Sequence, residues 1–338
     1  MGRKGKTRAL ALLMFLGPFL LPGGNGKISG KVYADYYYMF GNHDPHLEGM
    51  NGFWFRRIYF TYDHRFTPTT KIRVRFEANS QGDFLGSDKI SPYVKDLYLE
   101  WKRGSKTLIV GISPAPTFNK IEEIWGYRSV EKTPLDLYKL GHSRGTGIAL
   151  LGDFARGKIY YHLMFSNGEG NKSEYNPGKK LMAALGFSPS GNFYFEIYGD
   201  YEGNSGPTPH AYTLQGFASA TRGKFTAGIQ YSEKTYESGE EIKLRVASAF
   251  LKFGLSPKVI LLGRVDRMMD PNPYAQKIPY LPMDPTSPFT LFLLGLDYRL
   301  SPHISLIPNI EVVNYDSGLP GDLMGKITLY YRWKGGKN

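Results

Sequence analysis

Lys27–Phe40 reads KISGKVYADYYYMF, and its even positions, Ile28, Gly30, Val32, Ala34, Tyr36, Tyr38 and Phe40, are small, apolar or aromatic. The odd positions include Ser29, Lys31 and Asp35. Successive side chains of a β-strand point to opposite faces, so this period of two predicts a strand with one apolar and one polar side. It is longer than the usual globular strand of roughly 5–6 residues.

The pattern recurs down the chain. Gly52–Arg65 sets Trp54, Ile58, Phe60 and Tyr62 against Arg57, Tyr59 and Thr61. Thr70–Ser80 alternates Ile72, Val74, Phe76 and Ala78 with Lys71, Arg73, Arg75 and Glu77. Near the other end, Met324–Trp333 alternates Ile327, Leu329, Tyr331 and Trp333 with Lys326, Thr328, Tyr330 and Arg332. About sixteen such segments follow one another, joined alternately by short turns, as at Arg103–Ser105 and Ala155–Gly157, and by longer polar connections. Short periplasmic turns facing long extracellular loops are what an up-and-down outer-membrane barrel requires, whereas a β-sandwich gives no reason for the alternation. Charges in mid-strand, as in Arg73-Val74-Arg75-Phe76-Glu77, need water, and a lumen supplies it. The apolar faces end in aromatics, Tyr38 and Trp54 toward the outside and Trp101 and Trp333 toward the periplasm, as interfacial girdles do. The expected fold is all-β: a transmembrane antiparallel up-and-down barrel of about sixteen strands. Arg56 shares the lipid face with Ile58 on this reading, which places it at the outer rim with its head among lipid head groups.

The first residues read as an export signal. Arg3, Lys4, Lys6 and Arg8 precede the apolar run Ala9–Leu21, which ends in Pro22-Gly23-Gly24. Residues 1–26 are assigned to the signal and 27–338 to one barrel domain. An uncleaved anchor is the alternative, although the run is short for a membrane helix and is interrupted by Pro18. The chain has no cysteine, which excludes disulfide scaffolds, thiolate metal sites and cysteine nucleophiles. Its formal charge of +12 favours anionic partners.

One stretch interrupts the alternation: Ser113–Arg144, SPAPTFNKIEEIWGYRSVEKTPLDLYKLGHSR. Connections this long are uncommon in compact proteins and are usually functional. Five strands precede it, so it is the third extracellular loop, and it is expected to fold into the lumen as a constriction. Asn119–Trp125 and Thr133–Leu140 read as short helical turns, with Thr133 at an N-cap and Pro134 at the first helical position. The loop carries Lys120, Arg128, Lys132, Lys139 and Arg144 beside the acidic Glu122, Glu123, Glu131 and Asp136. The wall set expected to line the lumen is Lys71, Arg73, Arg75, Lys243, Arg245 and Arg264, together with Lys326 and Arg332. Opposed charges across a narrow pore create a transverse field, and a surplus of arginine favours anions. Two alternatives stand beside this reading: loop charges simply solvated at the surface, and wall charges neutralised by mutual salt bridges.

An enzymatic reading is not supported. His162 and Ser166-Asn167-Gly168 resemble the His-x-Ser-Asn-Gly motif of outer-membrane phospholipases, but His and Ser are four residues apart here, roughly 13 Å along a strand. No cofactor motif or zinc-ligand spacing occurs, and none is expected.

Several short motifs resemble the phosphate-selective porin O/P family. They are Phe55-Arg56-Arg57, Val94-Lys95-Asp96-Leu97-Tyr98-Leu99, Leu108–Pro114, Ser143-Arg144-Gly145-Thr146-Gly147 and Phe165-Ser166-Asn167-Gly168-Glu169-Gly170. The resemblance implies a homotrimer in outer-membrane lipid and passive, anion-preferring diffusion past an inward-folded loop. Expected partners are therefore lipid, small anionic solutes and further copies of the chain; nucleic acid is not expected. A plugged structural or adhesion barrel, binding a partner through its loops, is the competing function. A soluble exported β-protein is the competing class.

Overall fold

Alternating faces can be satisfied on both sides at once only if the sheet closes, because an open edge leaves unpaired N–H and C=O groups that lipid cannot hydrate. The computed structural model shows that closure. It describes residues 26–80, 82, 84, 89–203, 209–238 and 240–335. The expected signal, residues 1–26, lies outside these except for Gly26.

Sixteen antiparallel strands form the barrel, each bonded to its neighbours in sequence. They are β1 (Gly26–Gly41), β2 (Asn51–Arg65), β3 (Thr70–Asn79), β4 (Ser91–Arg103), β5 (Lys106–Pro114), β6 (Arg144–Phe154), β7 (Ile159–Asn167) and β8 (Lys179–Phe187). The second half comprises β9 (Phe193–Gly203), β10 (His210–Arg222), β11 (Phe225–Ser238), β12 (Glu240–Ser256), β13 (Val259–Met268), β14 (Phe289–Ser301), β15 (Ile304–Tyr315) and β16 (Asp322–Gly335). β1 closes on β16, with Gly30 opposite Trp333 and Tyr38 opposite Gly325. A Cβ on Gly30 would sit 2.0 Å from the Trp333 ring, so the indole lies directly over that glycine and covers its bare backbone.

The outward face is the apolar one. Tyr36, Tyr38, Phe40, Leu97, Leu99, Trp101, Leu163, Phe165, Leu294 and Trp333 are all exposed on it. A soluble protein would bury these residues; lipid makes their exposure favourable. No helix of the described residues is long and apolar enough to cross a membrane. β11 and β12 run further than the alternation at Phe225–Tyr231 and Ile242–Phe253 indicated, pairing as far as Ser238 and Glu240, so this hairpin replaces an expected longer connection.

Two β-bulges reverse parity within strands. Tyr33 pairs with Arg57 and Ala34 with Phe55, which leaves Arg56 as an extra residue in β2. Arg75 pairs with Asp96 and Phe76 with Val94, which leaves Lys95 extra in β4. Each bulge turns two consecutive charged residues inward, Arg56-Arg57 and Lys95-Asp96, and all four are buried. This corrects two expectations. Arg56 is not at the lipid rim, and Trp54 is not a girdle residue: it points inward, 4% exposed, stacked on Tyr37 with centroids 3.8 Å apart.

Gly111, opposite Gly147, has φ +127°, and a Cβ there would lie 2.2 Å from the Leu97 carbonyl oxygen. Gly111→Ala is therefore expected to cost about 1–3 kcal/mol in backbone strain alone, read as a lowered urea midpoint for the heat-modifiable folded band on a gel. Gly216→Ala, where a Cβ meets nothing within 4 Å, leaves that midpoint unchanged.

Candidate pore and constriction

The loop between β5 and β6 is ordered by two short helices. α1 is Asn119–Trp125, stopped by Gly126 at φ 73°, whose N–H donates to the Glu122 carbonyl at 2.8 Å. Glycine adopts this left-handed cap without steric cost. α2 is Pro134–Leu137, with proline in the first turn and Thr133 extended before it, although the Thr133 side chain accepts no capping hydrogen bond. Lys139 (φ 63°) reverses the chain, and the N–H groups of Leu140 and Gly141 both reach the Leu135 carbonyl at 2.9 Å.

The loop crosses the lumen and is fastened to inward-facing wall positions. At its start, Gln215 Nε2 donates to the Thr117 carbonyl at 2.8 Å, and Thr117 Oγ1 lies 3.2 Å from the Tyr198 hydroxyl. On the far side, Tyr138 donates to Asp266 at 2.9 Å and Tyr127 to Asp297 at 3.0 Å. Lys252 donates to the Ile124 carbonyl, and Arg264 to the Lys132 carbonyl at 2.5 Å. Arg56 donates to the carbonyls of Ser129 and Val130, the second at 2.8 Å, while its Nε and Nη2 grip Asp35. Glu131 lies 4.0 Å from Lys326, which also pairs with Glu311 at 2.7 Å.

Apolar packing reinforces these bonds. Trp125 meets Phe250 with centroids 5.2 Å apart, and the Arg264 guanidinium stacks 5.3 Å from the Trp125 ring. Ile121, Val130, Leu135, Leu137 and Leu140 join wall residues Leu244, Val246, Leu262, Phe289, Leu291 and Leu293 in one buried cluster. A second inward segment joins them, from the β13–β14 connection: Ala275, Ile278, Tyr280, Leu281 and Met283. Its Asn272 donates to the Tyr138 carbonyl at 3.0 Å, and the Tyr280 hydroxyl lies 3.0 Å from the Arg56 carbonyl. Two loops together fill the β12–β16 side of the outer lumen. The second is the proline-rich stretch Arg267–Pro288.

That filling explains a misplacement. Lys243 and Arg245 were expected on the lumen wall. They lie on the outward face, because the inward positions between and beyond them, Leu244 and Val246, pack against the loops. Polarity is inverted where the lumen is filled by protein rather than water. Arg245 pairs outside with Asp270 at 2.7 Å and Lys243 with Glu241 at 2.7 Å. Arg264 does face inward, but it is spent on Asp266 and the loop.

The opposite wall, β1–β4, keeps open space. A cavity of about 290 Å³ lies between it and the loop, lined by Lys31, Tyr33, Tyr59, Arg75, Lys95, Phe118, Glu122, Arg128, Arg144 and Arg332. Pairing there is uneven. Asp96 serves both Arg75, at 3.1 Å, and Arg144. Glu77 serves both Arg57, at 3.2 Å, and Lys95, at 3.1 Å. On the loop the ratio is reversed, since Arg128 holds both Glu122 and Asp136, the latter at 2.5 Å. The wall carries surplus cation, while on the loop's side of the cavity a single cation, Arg128, is shared by two carboxylates. Lys71 and Arg73 sit nearer the short-turn end in single pairs, with Glu100 and Asp63, both at 2.8 Å. Glu123 is exposed and pairs only with Lys120 at 2.8 Å.

Loop charges respond to this setting. Burial opposes the Asp136 carboxylate, but Arg128 and then Lys132 hold it well below the usual carboxylate range. Burial brings Lys132 down to about 7, assisted by Arg57 and Lys139 and opposed by Asp136 and Glu131. An unfolded lysine keeps its proton to about 10.5, so the buried charge penalises the packed loop fully below pH 7 and progressively less between 7 and 10.5.

Two outcomes are expected. Arg56→Ala leaves Asp35 buried without its cation, a change worth about 3–5 kcal/mol, and releases Ser129 and Val130; trypsin then cuts the loop at Arg128 or Lys132 in folded protein that otherwise resists it. Raising pH from 6 to 8 discharges Lys132, so the reversal potential in a salt gradient shifts in the cation-favouring direction. The shift is absent in Lys132→Met.

No protein-family model matches the chain, and no curated protein matches it in sequence. The backbone does match solved outer-membrane proteins. An anion-selective porin from Comamonas acidovorans superposes with a TM-score of 0.70 over 91% of this chain and 99% of its own, at 10% identity. OmpF of Salmonella typhi, in complex with daunomycin, gives 0.68 over 92% and 98%, at 8% identity. OmpT of Vibrio cholerae gives 0.63 over 93% and 99%, at 11% identity. At such identities the likeness is one of architecture: the chain has the sixteen-stranded barrel fold of outer-membrane porins.

Proposed function

We propose that the protein is an outer-membrane porin through which small anionic solutes diffuse passively, with no cofactor and no chemical step. The observation that carries this reading is the uneven pairing around the open cavity. A wall fully neutralised by salt bridges would offer a solute nothing. Here Asp96 and Glu77 are each shared by two cations, so guanidinium and ammonium donors remain for a passing anion. Carboxylates across the gap on the loop supply the opposite side of a transverse field.

Arg75, Arg144 and Arg128 are the residues assigned to solute contact, with Lys71 and Arg73 extending the basic wall toward the periplasm. Glu122 and Asp136 are the opposing acids; Glu123 and Glu131 belong to the loop surface and the loop anchor respectively. Phosphate-like anions fit the arginine-rich wall, a preference supported by the motif resemblance to the phosphate-selective porin O/P family. A homotrimer is proposed; the Vibrio cholerae protein has a trimer form.

The apolar cluster that unites the two inward loops favours a second reading, a plugged barrel whose outer loops bind a partner. Conductance separates the two. In planar bilayers the porin shows discrete open channels and admits small sugars in liposome swelling, whereas a plugged barrel does neither. Deleting residues 119–140 is expected to raise single-channel conductance at least about twofold as the constriction is removed. Arg75→Ser with Arg144→Ser lowers the anion-to-cation permeability ratio, and Glu122→Gln raises it. Cation preference in the unaltered channel would remove the anionic part of the reading.

A further inference from the structure

The seam between β1 and β16 brings two cations face to face. Lys31 lies directly opposite Arg332, so their Cβ atoms are roughly 4.5–5.5 Å apart. Like charges in that position are destabilising, and a sequence breaks such a rule chiefly at functional sites. Arg332 donates to the Pro302 carbonyl at 3.2 Å, and neither cation makes an ion pair among the described residues. Both line the open cavity of about 290 Å³, as do Arg75 and Arg144. Glu122 is the one carboxylate among the described lining residues, and Arg128 holds it. Asp96, behind the wall, is shared by Arg75 and Arg144; a guanidinium has five donors, so each arginine keeps some for a ligand.

The spacing of these groups is set by the sheet. Lys31 pairs with Tyr59, Tyr59 pairs with Glu77, and Arg75 lies two residues further along β3. Two strand spacings of about 4.8 Å and a two-residue rise of about 6.8 Å put the Cα atoms of Lys31 and Arg75 roughly 12 Å apart. Their long side chains extend into one space, which therefore has two cationic poles. Tyr59 stands on the strand between them, its ring centroid 5.9 Å from the Arg75 guanidinium, and Phe118 lines the same space from the loop. We infer that Lys31 and Arg332 form a second anion-binding pole and that the cavity recognises short dicarboxylates. One carboxylate sits on the seam pair and the other on Arg75 and Arg144, with the methylenes between them against Tyr59 and Phe118. A monocarboxylate fills one pole only. A compact dianion such as sulfate has the charge without the span. This inference rests on the conducting role proposed above and names its solute class.

The test records single channels of the full barrel in planar bilayers, in potassium chloride at neutral pH. Succinate, monomethyl succinate or sulfate is added, and the concentration of each that halves the chloride current is read. Succinate is expected to do so at a concentration on the order of tenfold below the other two, through its second charged contact. Lys31→Gln with Arg332→Gln raises the succinate value to that of monomethyl succinate while chloride still passes. Lys31→Gln alone gives an intermediate value and keeps the comparison available if the double variant folds poorly. Absence of any open channel in the unaltered protein overturns the conducting role and this inference with it. Open channels on which succinate and monomethyl succinate act equally overturn the dicarboxylate assignment alone. Equal action of succinate and sulfate does the same, since it marks recognition of charge without span. Unchanged succinate block in both glutamine variants overturns the seam pole, whose cations are then simply solvated.

Discussion

The ion pair between Arg56 and Asp35 sets the interior. Both groups are buried, and a buried charge persists only where its partners are fixed. Asp35 accepts from Arg56, from Trp54 at 3.1 Å and from Thr328 at 2.5 Å, so one carboxylate joins β1, β2 and β16. The remaining donors of Arg56 go to two carbonyls of the constriction loop. The bulge in β2 makes this possible. Without the bulge, regular alternation from Arg57 would turn Arg56 toward lipid and Trp54 outward. A one-residue irregularity in the sheet therefore decides where the loop comes to rest.

Once the loop rests on β12–β16, the lumen is divided by chemistry. On the anchored side, part of the wall is apolar inside as well as outside, as β14 shows with Leu291 and Leu293 inward and Phe292 and Leu294 outward. On the other side, β1–β4 present tyrosines, arginines and lysines to open space. Lys243 and Arg245 lie outward where the inward side is packed, while Lys31, Arg75 and Lys95 line the open cavity. The same division accounts for the outward cations on β12 and β13.

The barrel was legible in the sequence because period two is a local signal repeated along the chain, and because loop length alternates from one end to the other. The second helical turn of the loop was legible for the same local reason, through Pro134 at its first position. The site was legible in part. Arg75, Arg128 and Arg144 line the cavity. Lys243 and Arg245 were assigned by the rule that polar means lumen, and that rule fails wherever another loop fills the lumen. No local pattern announces that filling; it depends on the β13–β14 connection, far away in sequence. Arg56 and Lys95 carried a usable signal: two adjacent charged residues inside an alternating strand mark a parity reversal, which is what a bulge produces.

The seam between β1 and β16 has a temporal side. Every other strand pairs with its neighbour in the chain, so those hairpins form across short separations, whereas Gly30 and Trp333 meet only when the two ends of the sheet come together. Closing so long a loop is the entropically most expensive step of assembly. The indole seated on Gly30 then acts as a latch, giving the last pair to form an aromatic contact that the open sheet lacks, and biasing the ring toward staying shut.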